Sequence, residues 1–540
     1  MELQPPAKHA FYYYLVVLAA SVFAFSFGLG RLGLLGPDEP RYAEVAREML
    51  VSGDYISTRL CGCLWFEKPA LLYWLSAAGY RFFGVNEFAA RFPTAIVAIA
   101  TVGMVCLALN AYGRRNLAFG AALVLATSGI FIAYARVATP DMVLTATITA
   151  ALLSGFKASH STGRSRTIYW TLAFASTALA VLAKGLVGII LVSIILGFWI
   201  VLTGKLRTIG IGDILIGCAV FILVAGSWYG PVLSRHGWSF IEEFFIRHHF
   251  QRYTSNEFGH PQPVYFFVIV AVVGLAPWTF FLIPAFSRLR SVLKNDSLMT
   301  LAWIWAAIPL LFFSFSESKL PGYILPVFPA LAIIVGDEIE RVWNRETGLQ
   351  LEIAKWLTAL ALIGMGVAFL VFTRRELVSV EGWRAALDAL PIIVALAGLV
   401  LLFLRRYRIF VLAVPCVVLT IVLAAVILLF PTLYDEVSLK SLSLKAAAAL
   451  RPGEKIGFYL KKEFAPVFYA EGRVHCEPKR GGTFYALHQE MVNEALQTES
   501  SLILITDTKW REGLENDSRF ITEFVAEQGD SLALRVSLRK

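Results

Sequence analysis

The sequence predicts a polytopic α-helical membrane protein with a small α/β domain at its C-terminal end. The chain has 540 residues, of which 57% are hydrophobic and only 16% are charged, whereas soluble proteins carry about 25% charged residues. Apolar runs recur over residues 11–430, and a polar segment follows them. Because so large a hydrophobic surplus cannot be buried in ordinary cores, a string of water-soluble domains is excluded.

About thirteen apolar runs approach the length that a transmembrane helix needs, once tilt and short buried helices are allowed for. The first run begins near Phe11 without a small-residue cleavage site, so we expect a retained anchor and not a removed signal peptide. The runs lie at about 11–33, 92–112, 116–135, 140–156, 168–183, 185–203, 209–230, 264–286, 297–315, 321–338, 352–373, 389–404 and 409–430.

Basic residues in the short loops predict the orientation. They all fall on one face if the N-terminus is cytoplasmic and the number of spans is odd, which places loops 34–91 and 231–263 and the tail on the outer face. The net charge of +9 is interpreted in this way, since we find no nucleic-acid motif. The residues are Lys8, Arg114, Arg115, Lys157, Arg164, Arg166, Lys205, Arg207, Arg288, Arg290, Lys294, Arg405, Arg406 and Arg408.

Two regions are therefore expected, a transmembrane domain over 1–430 and a soluble α/β domain over 431–540. In the tail, apolar runs predict strands and a polar stretch predicts a helix. The strands are expected at Lys455–Leu460, Pro466–Tyr469 and Leu502–Thr506, and the helix around Gln489–Gln497.

The six cysteines divide into two groups. Cys61, Cys63 and Cys476 lie in polar segments, so a disulfide among them is possible if that side of the membrane is oxidising. The other three lie in apolar runs, where a thiol behaves as a small hydrophobe: Cys106, Cys218 and Cys416.

Two carboxylates, Asp38 and Glu39, open the first outer loop directly after the first span. At the mouth of a cavity such groups suit acid/base or metal chemistry. Adjacent helical residues face different ways, so we expect only one of them to point inward. The structural alternative is a helix start with Asp38 as N-cap and Pro40 in the first turn, and with Glu44 and Glu48 stabilised by the helix dipole.

Further polar groups recur at the predicted outer ends of spans. An ionisable residue in a membrane segment is costly unless it lines a polar cavity or is paired, so Asp141 and Lys184 are candidate functional residues. The alternatives are a structural Arg136–Asp141 pair and a Lys184 side chain that reaches the interface. A third group should converge with them: Glu317, Lys319, Pro321 and Tyr323.

The second outer loop concentrates cations and imidazoles. Arg252 could bind a phosphate through two N–H groups, and His249 could bind a metal together with Glu67. No tight metal-ligand spacing is present, so solvated histidines are the alternative. Cations beside carboxylates under membrane helices suit a lipid-linked phosphate that leaves during the reaction. A lipid or solute transporter is the rival class, but its inverted repeats and paired broken spans are missing.

These motifs together resemble the aminoarabinose transferase family, relatives of protein O-mannosyltransferases with the GT-C membrane fold. The resemblance covers the whole chain. The motifs are Asp38-Glu39-x-Arg41-Tyr42-Ala43-Glu44, Gly53-Asp54, Glu67-Lys68-Pro69, Asp141 after Pro140, Lys184-Gly185 and Lys319-Leu320-Pro321-Gly322-Tyr323-Ile324-Leu325-Pro326.

The resemblance implies roles for individual residues. Asp38 resembles the family's essential first-loop carboxylate, with Glu39 and Asp141 as further catalytic candidates. The implied substrate-binding residues are Arg41, Tyr42, Lys68, Lys184, Arg252 and Tyr323, among which Lys68, Arg252 and Tyr323 hold the carrier phosphate. Glu67 matches a zinc-binding position. The matching imidazole is His249 or His248, or it is absent and Arg247 takes its place.

The family moves a sugar from a polyprenyl-phosphate carrier to an acceptor at the outer face of the bacterial inner membrane. The expectation is thus an inverting glycosyltransferase that uses a polyprenyl-phosphate-linked sugar, such as aminoarabinose, and lipid A or another envelope acceptor. A divalent metal is possible, and no nucleotide cofactor, nucleic acid or partner other than membrane lipids is expected. A protein acceptor is the alternative.

Overall fold

The computed structural model describes residues 8–251, 261–377, 382–431, 433, 438–461, 463–475 and 486–539, without the side chains of 8–11, 248–251 and 486. Arg252 and Cys476 lie outside the described residues, as does the side chain of His249. The predictions for these three side chains, including a disulfide that involves Cys476, therefore stay predictions.

Helices make up the N-terminal region, and each predicted apolar run coincides with a helix or a bent pair of helices. The helices are α1 (Lys8–Ser26), α2 (Asp38–Ser52), α3 (Leu71–Phe83), α4 (Glu87–Ala111), α5 (Arg115–Thr127), α6 (Gly129–Ala135), α7 (Pro140–Ala158), α8 (Gly163–Lys184), α9 (Leu186–Leu202), α10 (Ile211–Phe240), α11 (Phe266–Gly274), α12 (Leu282–Asn295), α13 (Ser297–Ser314), α14 (Phe328–Trp343), α15 (Leu349–Glu376), α16 (Trp383–Phe403) and α17 (Tyr407–Ala424). Tighter 3-10 turns lie at Lys205–Thr208, Trp278–Phe281 and Pro321–Val327, and π-helical turns at Ile241–Gln251 and Ala425–Leu429.

The chain is a multi-pass membrane protein. Within the described ranges, eight helices are long and apolar enough to cross a membrane, or ten if two bent pairs each count as one span. Two further apolar helices, α1 and α9, are shorter. Most residues of α7 are buried by neighbouring helices, so few of its side chains contact lipid. Its sequence can therefore be less apolar than that of a lipid-exposed helix. The number of about thirteen crossings stays a prediction.

The bundle is built around α5 and α14, which are buried along most of their lengths. Two glycines let these helices approach closely. A Cβ atom on Gly120 would lie 3.1 Å from the carbonyl oxygen of Gly336, and one on Gly336 would lie 2.7 Å from the backbone nitrogen of Ala121. In a membrane the hydrophobic effect does not drive helices together, so their association depends on close packing. Small residues at the crossing point allow the two backbones to approach closely.

Several of the predicted basic loops meet at one end of the bundle, which we call the basic end. Arg114 at the α4–α5 turn lies 2.7 Å from Asp337 of α14 and 3.1 Å from Asp296 before α13. The indole N–H of Trp199 in α9 donates to the carbonyl of Ser297, over 2.9 Å. We call the opposite end, which carries α2 and α3, the loop end. A short hairpin, β1 (Arg59–Leu60) and β2 (Cys63–Leu64), lies there too.

The tail forms a mixed five-stranded sheet of order β4-β3-β5-β7-β6. β3 pairs in parallel with β4 and β5, whereas β7 pairs antiparallel with β5 and β6. The elements are α18 (Lys440–Ala448), β3 (Lys455–Tyr459), α19 (Ala465–Tyr469), β4 (Ala486–Leu487), α20 (Gln489–Thr498), β5 (Leu502–Asp507), α21 (Arg511–Glu515), β6 (Phe520–Gln528) and β7 (Ser531–Leu538).

One predicted strand of the tail is wrong. Residues Pro466–Tyr469 belong to the short helix α19, with Pro466 in its first turn. Proline suits that position because its missing N–H would find no partner within the helix. The other predicted strands and the predicted helix are present, while the β6–β7 hairpin was not predicted. Gly529, with φ +55°, makes its turn.

The tail packs against the loop end through α19. The hydroxyl of Tyr469 accepts a hydrogen bond from the backbone N–H of Leu34 over 2.9 Å and donates one to Glu87 over 3.0 Å. Lys440 of α18 lies 2.5 Å from the same Glu87 carboxylate. Buried polar contacts of this kind fix one arrangement of the two parts, since separating them would leave these groups without partners.

Candidate active site at the loop end of the bundle

Four side chains of alternating charge line the mouth of the bundle at the loop end. Arg41 contacts Asp38 on its own helix turn, and its other terminal nitrogen lies 3.1 Å from Glu67. Lys68 lies 3.3 Å from the second oxygen of Glu67. The Asp38 side chain is 39% exposed, whereas that of Glu67 is 4% exposed. Asp38 is therefore the carboxylate of this row that a substrate can reach.

Asp38 is not the N-cap of α2, as the structural alternative expected. Pro37 occupies the N-cap position and makes no side-chain capping hydrogen bond, so Asp38 is the first helical residue. A carboxylate in the first turn is still favoured by the helix dipole. Because Asp38 caps no backbone N–H in this structure, its carboxylate is held only by Arg41 among the contacts that the structure gives.

Tyr42 supports this row from beneath. It is 4% exposed and packs against Tyr73, with ring centroids 6.0 Å apart. Burial, together with the charges of Asp38 and Glu67, raises the pKa of the Tyr42 phenol well above its ordinary value. Tyr42 is therefore neutral at physiological pH. Its burial favours a supporting role over the direct substrate contact that the resemblance implies.

Glu39 faces away from Asp38 into a buried ion pair. One carboxylate oxygen lies 2.7 Å from Arg91 Nη2, and the other lies 2.8 Å from Arg91 Nε. The backbone N–H groups of Leu35 and Ala138 donate to the same carboxylate over 2.7 and 2.8 Å. Arg91 also donates to three backbone carbonyls between Leu29 and Gly33. These contacts use Glu39 to hold four segments together and favour a structural role over the catalytic one.

Asp141 and Lys184 form a second polar group at the same end. The ammonium of Lys184 contacts Asp141 and lies 4.6 Å from the centre of the Tyr323 ring. The predicted Arg136–Asp141 alternative does not form, because Arg136 instead donates to the carbonyls of Ala24 and Phe27 at the end of α1. Lys184 thus pairs inside the bundle.

Tyr134 connects the two groups. It lies within electrostatic range of both Asp38 and Asp141. Gly322 allows this close packing, since a Cβ atom there would lie 2.7 Å from the Tyr134 ring and 2.9 Å from the Asp141 carboxyl carbon. The two carboxylates therefore both lie in the surroundings of Tyr134. The ammonium of Lys319 donates to the carbonyl of Ser316 over 2.5 Å, and its convergence with this group stays a prediction.

The two outer loops are linked by polar contacts that the motifs did not indicate. Arg235 near the end of α10 lies 2.8 Å from Asp54, and His236 Nε2 lies 2.9 Å from the Ser57 hydroxyl. Burial of Asp54 is outweighed by backbone N–H donors and Arg235, which lower its pKa to about 2. Asp54 is therefore ionised at physiological pH and anchors the segment that leads to Arg252.

The described residues do not form a metal site at Glu67. No group of three His, Cys, Asp or Glu side chains within the described part of the chain could hold a metal ion. Glu67 is instead contacted by Arg41 and Lys68, and two cations compete with a divalent ion for one carboxylate. A metal between Glu67 and His249 therefore stays a prediction, since the His249 side chain lies outside the described residues.

Sequence reasoning missed Arg91, Tyr134 and His236 as residues that shape the site. Arg91 had one available signal, because an arginine near the start of an apolar helix needs a partner. The other two carried none, since a tyrosine in a short apolar helix and a histidine in a polar segment are ordinary.

The fold is that of GT-C membrane glycosyltransferases, as the motifs predicted. It matches the crystal structure of ArnT from Cupriavidus metallidurans bound to undecaprenyl phosphate, with a TM-score of 0.80 and 22% identity over 98% of each chain. A family profile for dolichyl-phosphate-mannose-protein mannosyltransferases matches residues 31–240.

Relatives in sequence indicate which glycosyltransferases of this fold the chain resembles. An uncharacterized protein of Aquifex aeolicus is 31% identical over 60% of this chain and 63% of its own length. The undecaprenyl phosphate-alpha-4-amino-4-deoxy-L-arabinose arabinosyl transferase of Erwinia tasmaniensis is 28% identical over 55% of this chain and 54% of its own length. The matched part thus spans between half and two thirds of these relatives. The chain is related to the aminoarabinose transferase family, which confirms the resemblance found in the motifs.

The Glu39–Arg91 pair gives a stability prediction. Glu39→Gln should leave Arg91 buried without a counter-charge and lower the free energy of unfolding by about 3–5 kcal/mol. Glu512→Gln, on an exposed face of the tail, should cost less than about 1 kcal/mol. Thermal unfolding of the detergent-solubilised variants measures both, and equal losses would contradict the structural role of Glu39.

A second prediction concerns pH. Glu44 of α2 is buried against Arg47 and Gly472, and burial raises its pKa to about 7 although Arg47 favours the charged form. Between these two pKa values Glu44 is protonated in the folded state. In the unfolded chain, where its pKa is the ordinary 4.5, it has already lost the proton. Stability should fall as pH rises from about 5 to about 8, by up to roughly 3 kcal/mol.

Glu44→Gln should flatten this dependence, whereas Glu512→Gln on an exposed face of the tail should leave it unchanged. The measurement is the unfolding temperature of each variant across pH 5 to 8. A slope in Glu44→Gln equal to that of the wild type would mean that another group is responsible.

Proposed function

We propose that this chain is an inverting glycosyltransferase. It moves a sugar, aminoarabinose or a similar one, from a polyprenyl-phosphate carrier to lipid A or another envelope acceptor. The observation that carries the proposal is the row of Asp38, Arg41, Glu67 and Lys68, together with the Asp141–Lys184 pair, to which Tyr134 links it electrostatically. The names of the relatives support the same reaction.

The cations of this region suit the donor. The Lys68 and Lys184 side chains are 13% and 14% exposed, so water screens them only partly. A phosphate placed between them becomes a better leaving group, because its developing charge meets fixed positive charges in a poorly solvated site. Arg252 completes this phosphate clamp in the proposal, and Tyr323 orients Lys184 through its ring face.

Asp38 acts on the acceptor. If the acceptor is a hydroxyl, the carboxylate takes up its proton as the oxygen attacks the sugar carbon. If the acceptor is a phosphate, its oxygen is already ionised and Asp38 orients it through Arg41. In either case the new bond forms on the side opposite the departing phosphate, which inverts the configuration at the sugar carbon.

A protein acceptor is the second candidate function. The mannosyltransferase family profile supports it, because the matched residues 31–240 include Asp38, Lys68, Asp141 and Lys184. Supplying the donor with either purified lipid A or a hydroxyl-bearing peptide distinguishes the two acceptors. A transporter would release no polyprenyl phosphate with either.

We further propose that the protein lies in the bacterial inner membrane with a cytoplasmic N-terminus, with residues 1–430 as the transmembrane domain and 431–540 as a periplasmic domain. The clustering of basic loops at one end supports this orientation. A zinc ion between Glu67 and His249 stays a prediction that elemental analysis of the purified protein tests.

The orientation predicts reagent access. A cysteine at Ser500 in the tail should react with a membrane-impermeant thiol reagent in intact spheroplasts, and one at Ser165 should not. Both positions are exposed on the protein surface, so burial does not explain a difference. The reverse pattern would place the loop end in the cytoplasm.

The role of Asp38 predicts a loss of turnover without loss of fold. Asp38→Asn should lower the release of polyprenyl phosphate by at least about a hundredfold in the presence of donor and acceptor. Its unfolding temperature should stay near that of the wild type, because the side chain is partly exposed. Glu512→Gln, on an exposed face of the tail, is the control. Turnover of Asp38→Asn close to the wild-type rate would remove Asp38 from the mechanism.

The phosphate clamp predicts weaker donor binding. Lys68→Ala and Arg252→Ala should each weaken binding of polyprenyl phosphate by roughly ten- to a hundredfold, the scale of one charge-assisted contact. Arg252→Lys should restore part of the loss, and Tyr323→Phe should cost less. Lys509→Ala, an exposed position in the tail, is the control. If Lys68→Ala and Arg252→Ala bind the lipid as tightly as the wild type, the donor lies elsewhere.

A further inference from the structure

An apolar crevice of about 400 Å³ lies between α8, α9 and α10, away from the candidate active site. α8 packs extensively against both other helices, whereas α9 and α10 share few contacts with each other. The crevice is the gap that this arrangement leaves. Its wall includes Trp170, Phe174, Leu196, Cys218 and Phe221.

The crevice opens toward the lipid-facing surface. Ile222 at its wall is 66% exposed, and nearby Phe198 and Leu215 are 53% and 66% exposed. Large apolar side chains are left this open on helices that cross a membrane only because lipid covers them. An apolar crevice that opens toward lipid is therefore better suited to a hydrocarbon chain than to water.

The crevice begins within the leaflet at the basic end and reaches about the middle of the bilayer. Trp170, Leu196 and Cys218 lie six or seven residues from the helix ends at the basic end, or about 10 Å along the helix axes. Thr177 and Ile222, at the far side of the crevice, lie about 17–21 Å from the same end. Half the hydrocarbon thickness of a bilayer is about 15 Å.

Cations stand above the crevice at the basic end. Arg164 begins α8, and the turn between α9 and α10 carries Lys205 and Arg207. Arg164 and Arg207 are exposed, and Lys205 is partly so. Asp213, the one carboxylate in the sequence between His160 and Gly217, pairs with Arg166 over 2.8 Å. Asp296, which precedes the Ser297 that contacts α9, pairs with Arg114 over 3.1 Å. A net positive charge is left to face the headgroup layer.

We propose that this crevice is a binding site for an anionic diacyl phospholipid of the leaflet opposite the candidate active site. The phosphate lies against Arg164, Lys205 and Arg207, and one acyl chain fills the crevice. Basic groups above a cleft between transmembrane helices are the pattern that recognises anionic headgroups. The bound lipid takes the place of the missing α9–α10 packing, and it steadies α10, which carries Arg235 and His236 at its other end.

The probe for this site is phosphatidylglycerol with a photoactivatable group in one acyl chain, compared with the matching phosphatidylcholine, each in nanodiscs with the full-length protein. Cross-links from phosphatidylglycerol should map to the crevice residues of α8, α9 and α10 and exceed those from phosphatidylcholine by at least about tenfold. Equal labelling by the two lipids, or labelling spread over the whole lipid-facing surface, would overturn the proposal.

Two variants test the binding of the lipid headgroup and of the acyl chain separately. The triple change Arg164→Gln, Lys205→Gln and Arg207→Gln should reduce labelling by phosphatidylglycerol to the phosphatidylcholine level. Ser193→Trp should fill the crevice and remove the cross-links while the basic groups stay in place. If the triple variant fails to fold, Ser193→Trp still decides the question.

The control carries the same loss of charge elsewhere at the basic end, with Arg290→Gln, Lys294→Gln and Arg406→Gln. Its cross-linking by phosphatidylglycerol should equal that of the wild type. An equal reduction of cross-linking in both triple variants would mean that general surface charge attracts the lipid, which would overturn the proposal. Displacement of the bound phosphatidylglycerol by polyprenyl phosphate would assign the crevice to the carrier lipid and overturn the proposal.

Discussion

The loop end depends on the buried ion pair of Glu39 and Arg91. Its hydrogen bonds join the end of α1, the start of α2, α4 and the segment before α7. A buried ion pair stabilises a fold only when its donors and acceptors all have hydrogen-bond partners. Here both carboxylate oxygens of Glu39 and all three guanidinium nitrogens of Arg91 have partners. Because Glu39 is locked inward, the residue before it must face the mouth. The reach of Asp38 is thus a consequence of its neighbour.

Local patterns in the sequence were sufficient to find the membrane helices and the first-loop motif. The hydropathy of a span and the cost of an ionisable residue within it are properties of a few adjacent residues, which is why Asp141 and Lys184 were identified. Which partner each chooses is not local. Asp141 pairs with Lys184, although Arg136 is nearer to it in the sequence. The packing of the helices therefore decides this contact, whatever the separation along the chain.

The tail shows the same division. Strands β3 and β5 were predicted because buried strands of a mixed sheet carry continuous apolar runs. The segment Pro466–Tyr469 has the same composition but forms α19, since its place against α2 and its N-terminal proline outweigh the apolar pattern. Sheet order and the β6–β7 hairpin depend on pairing between distant residues, which no short window of sequence contains.

The contact between Arg41 and Phe464 has a consequence for the order of events during synthesis. The guanidinium lies 4.7 Å from the centre of the Phe464 ring, so one wall of the mouth is supplied by a residue that leaves the ribosome after the helices of the bundle. Domains fold in the order of their synthesis. A nascent chain that has inserted its helices but not yet delivered its tail therefore has an incomplete mouth. The mouth is complete only once the segment that carries Phe464 has reached Arg41.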